Sequence, residues 1–329
     1  MTELSKPLSI HMLWDPLLSR IHTPTQIIDI TLIPSDDLIS SIEKVKLTSK
    51  QIIFDATIDP FYNRNQRAGI LNNWVKQKGL KAYLATSQFQ TYKHSHLQEI
   101  LYPCCFFMFK NQSLPTLNLD LKQKRYSCLN RNPLWHRLLF YVLLKEKKLL
   151  NQTINTFYNY DPYNNHKISS TYYALNAKLF EKYFTKAMES LADFPIALLN
   201  DKQGVNDHSI NHLAYLDAEC NLATESTVDV EFTSEKTWKP IASGQCFHIV
   251  GSVGTNAWLR SFGFETFDNE YDSTTNTITR LEQLVNQLDG NSMWTAENLD
   301  KIKHNYHLFH SGEIEKTILN PLVDILNTR

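Results

Sequence analysis

"EFTSEKTWKPIASGQCFHIVGSVGT" (residues 231–255) is the stretch on which the fold turns. It follows a β-prone segment, "AECNLATEST" (218–227), that ends in the carboxylate Glu225. Pro240 lacks an N–H, so it fits the first turn of a helix that starts near Lys236 and fits badly further in. Gly244 stops that helix after about two turns. A hydrophobic run then leads into Gly251-Ser252-Val253-Gly254. The whole reads as strand, helix, strand. Parallel α/β sheets built from such units take ligands outside the carboxyl ends of their strands. Helix N-termini there present free N–H groups and a positive dipole end to anions. Lys236 would stand beside such an anion as a point charge, and Glu235 could accept two hydroxyls of a ribose. The plainer meaning of an adjacent Glu and Lys is a surface ion pair.

Outward from this unit, the same alternation recurs. On the N-terminal side, strands are expected at 8–14, 26–33, 51–57, 81–87 and 104–109, with a helix over 66–79 that stops at a glycine. A polar, Pro-containing stretch, "KNQSLPTLNLDLKQK" (110–124), is the linker candidate. Beyond it come a strand at 125–130, a helix over 133–150 with Pro133 in its first turn, a strand at 154–160 and an amphipathic segment at 176–192. After the opening stretch, "TNAWLRSFGF" (255–264), a helix over 277–290 and closing amphipathic helices over 295–327 complete the chain. The expected architecture is α/β, with two Rossmann-like domains facing a central cleft: an N-terminal one over 1–120, and a C-terminal one over 121–329 that includes the closing helices.

Bulk composition fits that size. The chain has 329 residues, 42% hydrophobic and 20% charged, with a net charge of -1, as soluble globular chains do. The near-zero charge argues against a global affinity for nucleic acid or anionic membranes. The five cysteines are scattered without CxxC spacing, which suits buried thiols in a reducing compartment. No signal peptide and no membrane-length apolar run is expected. The default placement is the cytoplasm.

"SEKTWKPIASGQCFHIVGS" (234–252) resembles the donor motif of GT-B-type nucleotide-sugar glycosyltransferases, the α1,3-fucosyltransferase family in particular: Glu-Lys, a small residue, Gly, an apolar strand and another Gly. "YSCLNRNPLWHRLLFYVLL" (126–144) is similar to that family's first C-terminal strand and helix. With "LRSFGFETFD" (259–268), the combination looks like a group of phage and bacterial glycosyltransferase-like proteins. The resemblance covers about residues 125 to 275 and implies roles by position. Lys236 would bind the donor pyrophosphate and Glu235 the ribose. Arg137, or Arg131 in the preceding loop, would supply a second, bidentate phosphate contact. Glu225 would face the donor sugar or nucleotide, and Lys239 is an additional cation. The plainer readings are a snorkelling Arg137, a solvated Arg131 and a capping Glu225. Trp238 reads as core.

An inverting transfer needs a carboxylate to take the acceptor's proton. The candidates, in order, are Asp55 at a strand end, Asp59 in the loop after it, and Asp15 at another strand end; each could equally be a cap or an Asx-turn. Nucleotide-binding and hydrolase motifs of other classes are missing from the sequence. His94 with His96 makes a weak metal site, and His304 with His307 shares a helix face that reads as packing. No DxD-type sequence stands in a suitable place, which agrees with an enzyme that needs no metal and in which Lys and Arg neutralise the leaving diphosphate. The expectation is a glycosyltransferase that moves a sugar from a UDP- or GDP-linked donor to an acceptor hydroxyl. The acceptor is a glycan or, alternatively, a hydroxymethylated base in phage DNA. "KQKGLKAYLATSQFQTYKHSH" (76–96), basic and aromatic, would provide phosphate contacts in the second case. The remaining alternative is a binding protein with a degenerate GT-B fold.

Overall fold

The computed structural model describes residues 10–31, 33–57, 64–89, 94–110, 112, 116–120, 122–130, 134–157, 160–161, 166–167, 178, 181–194, 196, 217–267, 271, 276–288 and 292–328. They divide into two compact units. One takes residues 1–112, 232–234 and 311–329, and the other 113–231 and 235–310.

The first unit carries a four-stranded parallel sheet in the order β1-β2-β3-β4, formed by Thr25–Asp29, Gln51–Ala56, Lys81–Thr86 and Leu97–Leu101. Strand alternation sorts the faces of β2. Ile52, Phe54 and Ala56 pack on α2 (Leu38–Glu43) and α3 (Arg64–Lys78) through Leu38, Ile42, Leu71 and Trp74. Gln51 and Asp55 point the other way. Gln51 donates to Leu326 O (3.1 Å) of α11 (Glu313–Asn327), and Asp55 accepts from Trp14 of α1 (Ile10–Leu18). Tyr102 stacks between Trp14 and Phe107, which ties α4 (Cys104–Lys110) to the same face.

The second unit carries another four-stranded parallel sheet, in the order β10-β9-β5-β6: Cys246–Val250, Ala218–Thr224, Lys124–Leu129 and Thr153–Thr156. A two-residue antiparallel pair, β7 (Tyr160–Asp161) and β8 (His166–Lys167), lies between β6 and β9 in sequence. β5 connects to β6 through α5 (Trp135–Glu146), and β9 connects to β10 through α7 (Glu235–Ala242). These crossovers run in opposite directions along the sheet, so right-handed connections put α5 and α7 on opposite faces. The remaining helices are α6 (Phe184–Ser190), α8 (Thr255–Ser261), α9 (Thr277–Gln287) and α10 (Ala296–Ser311). α5 is buried from Trp135 to Leu144, as a helix that is apolar all round must be, and α6 and α9 pack on it. Trp238 of α7 is buried among Trp258, Phe264 and Phe309, so the core reading of that residue holds. At β10, the outer strand, Ile249 N–H donates to Tyr271 Oη (3.1 Å), and the Tyr271 hydroxyl donates to Ile249 O (2.9 Å).

The expected α/β chain of two halves, each a parallel sheet with its helices, is what the described residues form. Three local expectations differ. Residues 104–109, read as a strand, form α4; all six are buried, and a short run buried on every side has no period to separate helix from strand. The stretch read as a strand at 8–14 enters α1, where Leu13, Trp14 and Leu17 share a buried helical face. β4 was not foreseen, because Gln98 and Glu99 interrupt its apolar pattern. At the domain scale, the last helix belongs with the first unit and not with the C-terminal domain, for its final turn hydrogen-bonds Gln51 and Tyr83 of the first sheet.

Candidate functional site

In the second sheet the chain leaves β5 in one direction and β9 in the other, so the topological switch point lies between the carboxyl ends of these two strands. Asn130 and Thr224 meet there, the threonine hydroxyl donating to Asn130 Oδ1. Arg137, 3% exposed, reaches in from the first turn of α5. Its Nη2 donates to Thr224 O (3.1 Å) and Glu225 O (3.0 Å). His136 Nε2 donates to the same Glu225 carbonyl at 3.0 Å. Burial, with Arg137 beside it, pushes the imidazole down to about 3 although the Glu225 carbonyl pulls the other way. His136 is therefore a fixed neutral donor. Arg137 is neither snorkelling nor held out to solvent: it grips the backbone at the end of β9.

Glu225 is fully buried. Its Oε1 accepts from Thr237 Oγ1 (2.5 Å) and its Oε2 from Ser226 N (3.3 Å). The carboxylate thereby clamps the first turn of α7 to the strand end. A side chain at Gly251 would press on this group, because a Cβ there would lie 3.4 Å from Glu225 Cγ and 3.0 Å from Thr255 Oγ1.

Glu235 is the first residue of α7, and its carboxylate accepts from Lys236 Nζ. Both side chains are 17% exposed, so the pair is an ion pair, but a half-sheltered one at the strand ends. Lys239, one turn on, is 2% exposed. Burial alone would raise the Glu235 carboxyl; Lys236 and Lys239 override it and hold the group at about 2. Pro240 falls in the second turn of α7, later than expected. Gly244 closes the helix with φ +68, a conformation that suits glycine.

The structure thus brings Glu225, Arg137, Glu235, Lys236 and Lys239 to one sheet end. Arg131 and Asp59 lie outside the described residues. Asp55 and Asp15 belong to the first unit. Asp55 stands at the end of β2, fully buried, with Oδ2 accepting from Trp14 Nε1 (2.7 Å) and Oδ1 from Thr57 N (3.0 Å) and Thr57 Oγ1 (2.7 Å). Burial raises its pKa despite these bonds. Asp15 is not at a strand end; it is an exposed residue of α1. Arg280 was missed. It lies on the buried face of α9, one turn before Leu284, and a lone arginine on an otherwise apolar stripe was the available signal. Among the described residues no group of three or more His, Cys, Asp or Glu could hold a metal, and no helix is long and apolar enough to cross a membrane. All five cysteines are buried and unbridged.

No family model matches the chain. No curated protein matches it either. Among solved structures it is similar to the DNA-modifying enzyme β-glucosyltransferase, studied in the presence and absence of uridine diphosphoglucose. That likeness has 10% identity and a TM-score of 0.39, over 92% of this chain and 99% of the other. It is also similar to T4 phage BGT in complex with its UDP-glucose substrate, at 11% identity and a TM-score of 0.38, over 88% of this chain and 80% of the other.

Proposed function

We propose that this chain is a GT-B-type glycosyltransferase that takes a nucleoside diphosphate sugar, UDP- or GDP-linked, in its second unit and transfers the sugar to an acceptor hydroxyl with inversion. The observation that carries the reading is the sheltered Glu235-Lys236 pair at the start of α7, beside the switch point of a parallel sheet. A carboxylate held ionised by two lysines is a strong acceptor for a ribose diol, and Lys236 can turn to a diphosphate. Lys and Arg charge takes the place of a metal in balancing the leaving group. An inverting transfer passes the acceptor's proton to a carboxylate. We assign it to Asp59, because both oxygens of Asp55 are already engaged by Trp14 and Thr57.

Titration calorimetry with UDP and GDP tests the donor site. Lys236→Ala should weaken nucleoside diphosphate binding by about 1.5–3 kcal/mol, the scale of a hydrogen bond to a charged group. It should lower the unliganded stability by about 1–3 kcal/mol, between the cost of losing an exposed pair and that of breaking a buried one. Unchanged affinity with a large loss of stability would make the pair structural and remove the reading's main support. Transfer assays offer a glycan and a hydroxymethylated duplex as acceptors; there Asp59→Asn should keep donor affinity and lose turnover.

A further inference from the structure

The amino end of the first sheet is lined with lysine. Lys44, Lys46 and Lys50 stand between the end of α2 and the start of β2, and Lys76, Lys78 and Lys81 between the last turn of α3 and the first residue of β3. All six are exposed. The two connections are neighbours. Lys81 N–H donates to Lys50 O (3.0 Å), Gln51 pairs with Lys81, and Lys78 Nζ lies 3.6 Å from Glu43 Oε1. The direction of two parallel strands thus gathers these ammonium groups on one face, at the opposite end of the sheet from Asp55.

Little on this face answers the charge. Glu43 is the carboxylate of these connections, and Asp324 stands in the last turn of α11, beyond which Thr328 O accepts from Lys81 Nζ. Lys78 and Lys81 also lie over the rings of Trp74 and Tyr83. Among the described residues, Lys44, Lys46, Lys50 and Lys76 join no ion pair. Val45 and Leu80 turn back to the core, but Leu47, between the lysines, is 37% exposed. Nucleic acid is gripped best by the arginine fork and by rings on which bases stack. Neither connection contains an arginine, and Trp74 and Tyr83 are buried. A lysine instead lays an apolar stem along an interface and keeps its ammonium in water. An exposed leucine among such stems has an apolar phase to enter. We propose that this end of the first unit docks on an anionic lipid surface, with the lysines at the headgroups and Leu47 in the acyl boundary. The carboxyl end of the sheet, where Asp55 stands, then faces away from the bilayer. The docking does not depend on the donor reading of the second unit.

The test is co-sedimentation of the full chain with vesicles of phosphatidylcholine alone and of an equal mixture with phosphatidylglycerol. Wild type should bind the mixed vesicles, ignore the neutral ones and be released by salt, because screening weakens exposed charges. The triple variant Lys44→Glu, Lys46→Glu, Lys50→Glu should bind at least about tenfold more weakly, the factor that 1.4 kcal/mol represents, with the melting temperature of wild type. Leu47→Trp should bind as wild type does, and its added emission should move to shorter wavelength on the mixed vesicles only. Wild type that ignores the mixed vesicles would overturn the proposal. So would a triple variant that binds them undiminished, or Leu47→Trp emission that stays at its wavelength in water. Wild type that binds a duplex oligonucleotide through the same lysines and leaves the vesicles alone would make this a nucleic-acid face and overturn the lipid assignment.

Discussion

Two carboxylates in this molecule respond to pH in opposite senses. The Glu235 carboxyl is held at about 2 against an ordinary 4.5. A depressed pKa stabilises the fold above the unfolded value, and the contribution is lost as pH falls through the folded one. Asp55 is raised above 3.8 by burial. Its contribution is present below that value and is lost as pH rises through its folded pKa. Lys236→Ala leaves Lys239 to oppose burial by itself, so the Glu235 pKa should rise. Melting temperatures taken from about pH 2 to 5 should then show the acid limb of the variant displaced to higher pH, a limb that stays in place if Lys236 has no hold on Glu235. The chemical type of these residues was legible in the sequence, because a Glu-Lys pair after a strand and before a glycine-closed turn has few uses. Their partners were not. That Glu225 would turn inward to Thr237, or Asp55 to Trp14, depends on contacts between residues 12 and 41 positions apart, which no local spacing encodes.

Elements with a clear period were read well, and those without one were not. α3 and α9 fall within a few residues of expectation, since each keeps one apolar face. α4 presents six buried residues in succession, and only the tertiary setting makes it a helix. α7 depends on its ends more than on its interior. Pro240 withholds a backbone donor in its second turn, and Gly244 stops it with φ +68. An alanine at 244 would be strained by that φ, and its Cβ would crowd Leu117 and lie 3.3 Å from Tyr306 Cδ2. Gly244→Ala should therefore cost about 1–3 kcal/mol in urea unfolding. A cost near zero would mean that the turn relaxes freely and does not set where Glu235 and Lys236 stand.

At the scale of the whole molecule, two parallel sheets were legible from the alternation of strands and helices, but the membership of the last helix was not. α11 buries Ile314, Ile318 and Leu322 along one stripe. Such a stripe requires an apolar partner without specifying which of two cores provides it. Bonds from Gln51 and Tyr83 to its last carbonyls settle the matter in favour of the first unit.

The phenol of Tyr271 has a consequence for how copies of this chain meet. An outer strand is a template: its unanswered N–H and C=O groups invite a strand from another copy. At Ile249 one hydroxyl answers both groups, and so acts as a one-atom substitute for a fifth strand. Tyr271→Phe keeps the ring and removes that substitute. It should lower stability by about 1–3 kcal/mol for the stranded polar groups and make the protein self-associate on mild warming. Light scattering below the melting transition would register this as growth in particle mass, and a variant that keeps the wild-type particle mass there would show that the edge is guarded by something other than Tyr271.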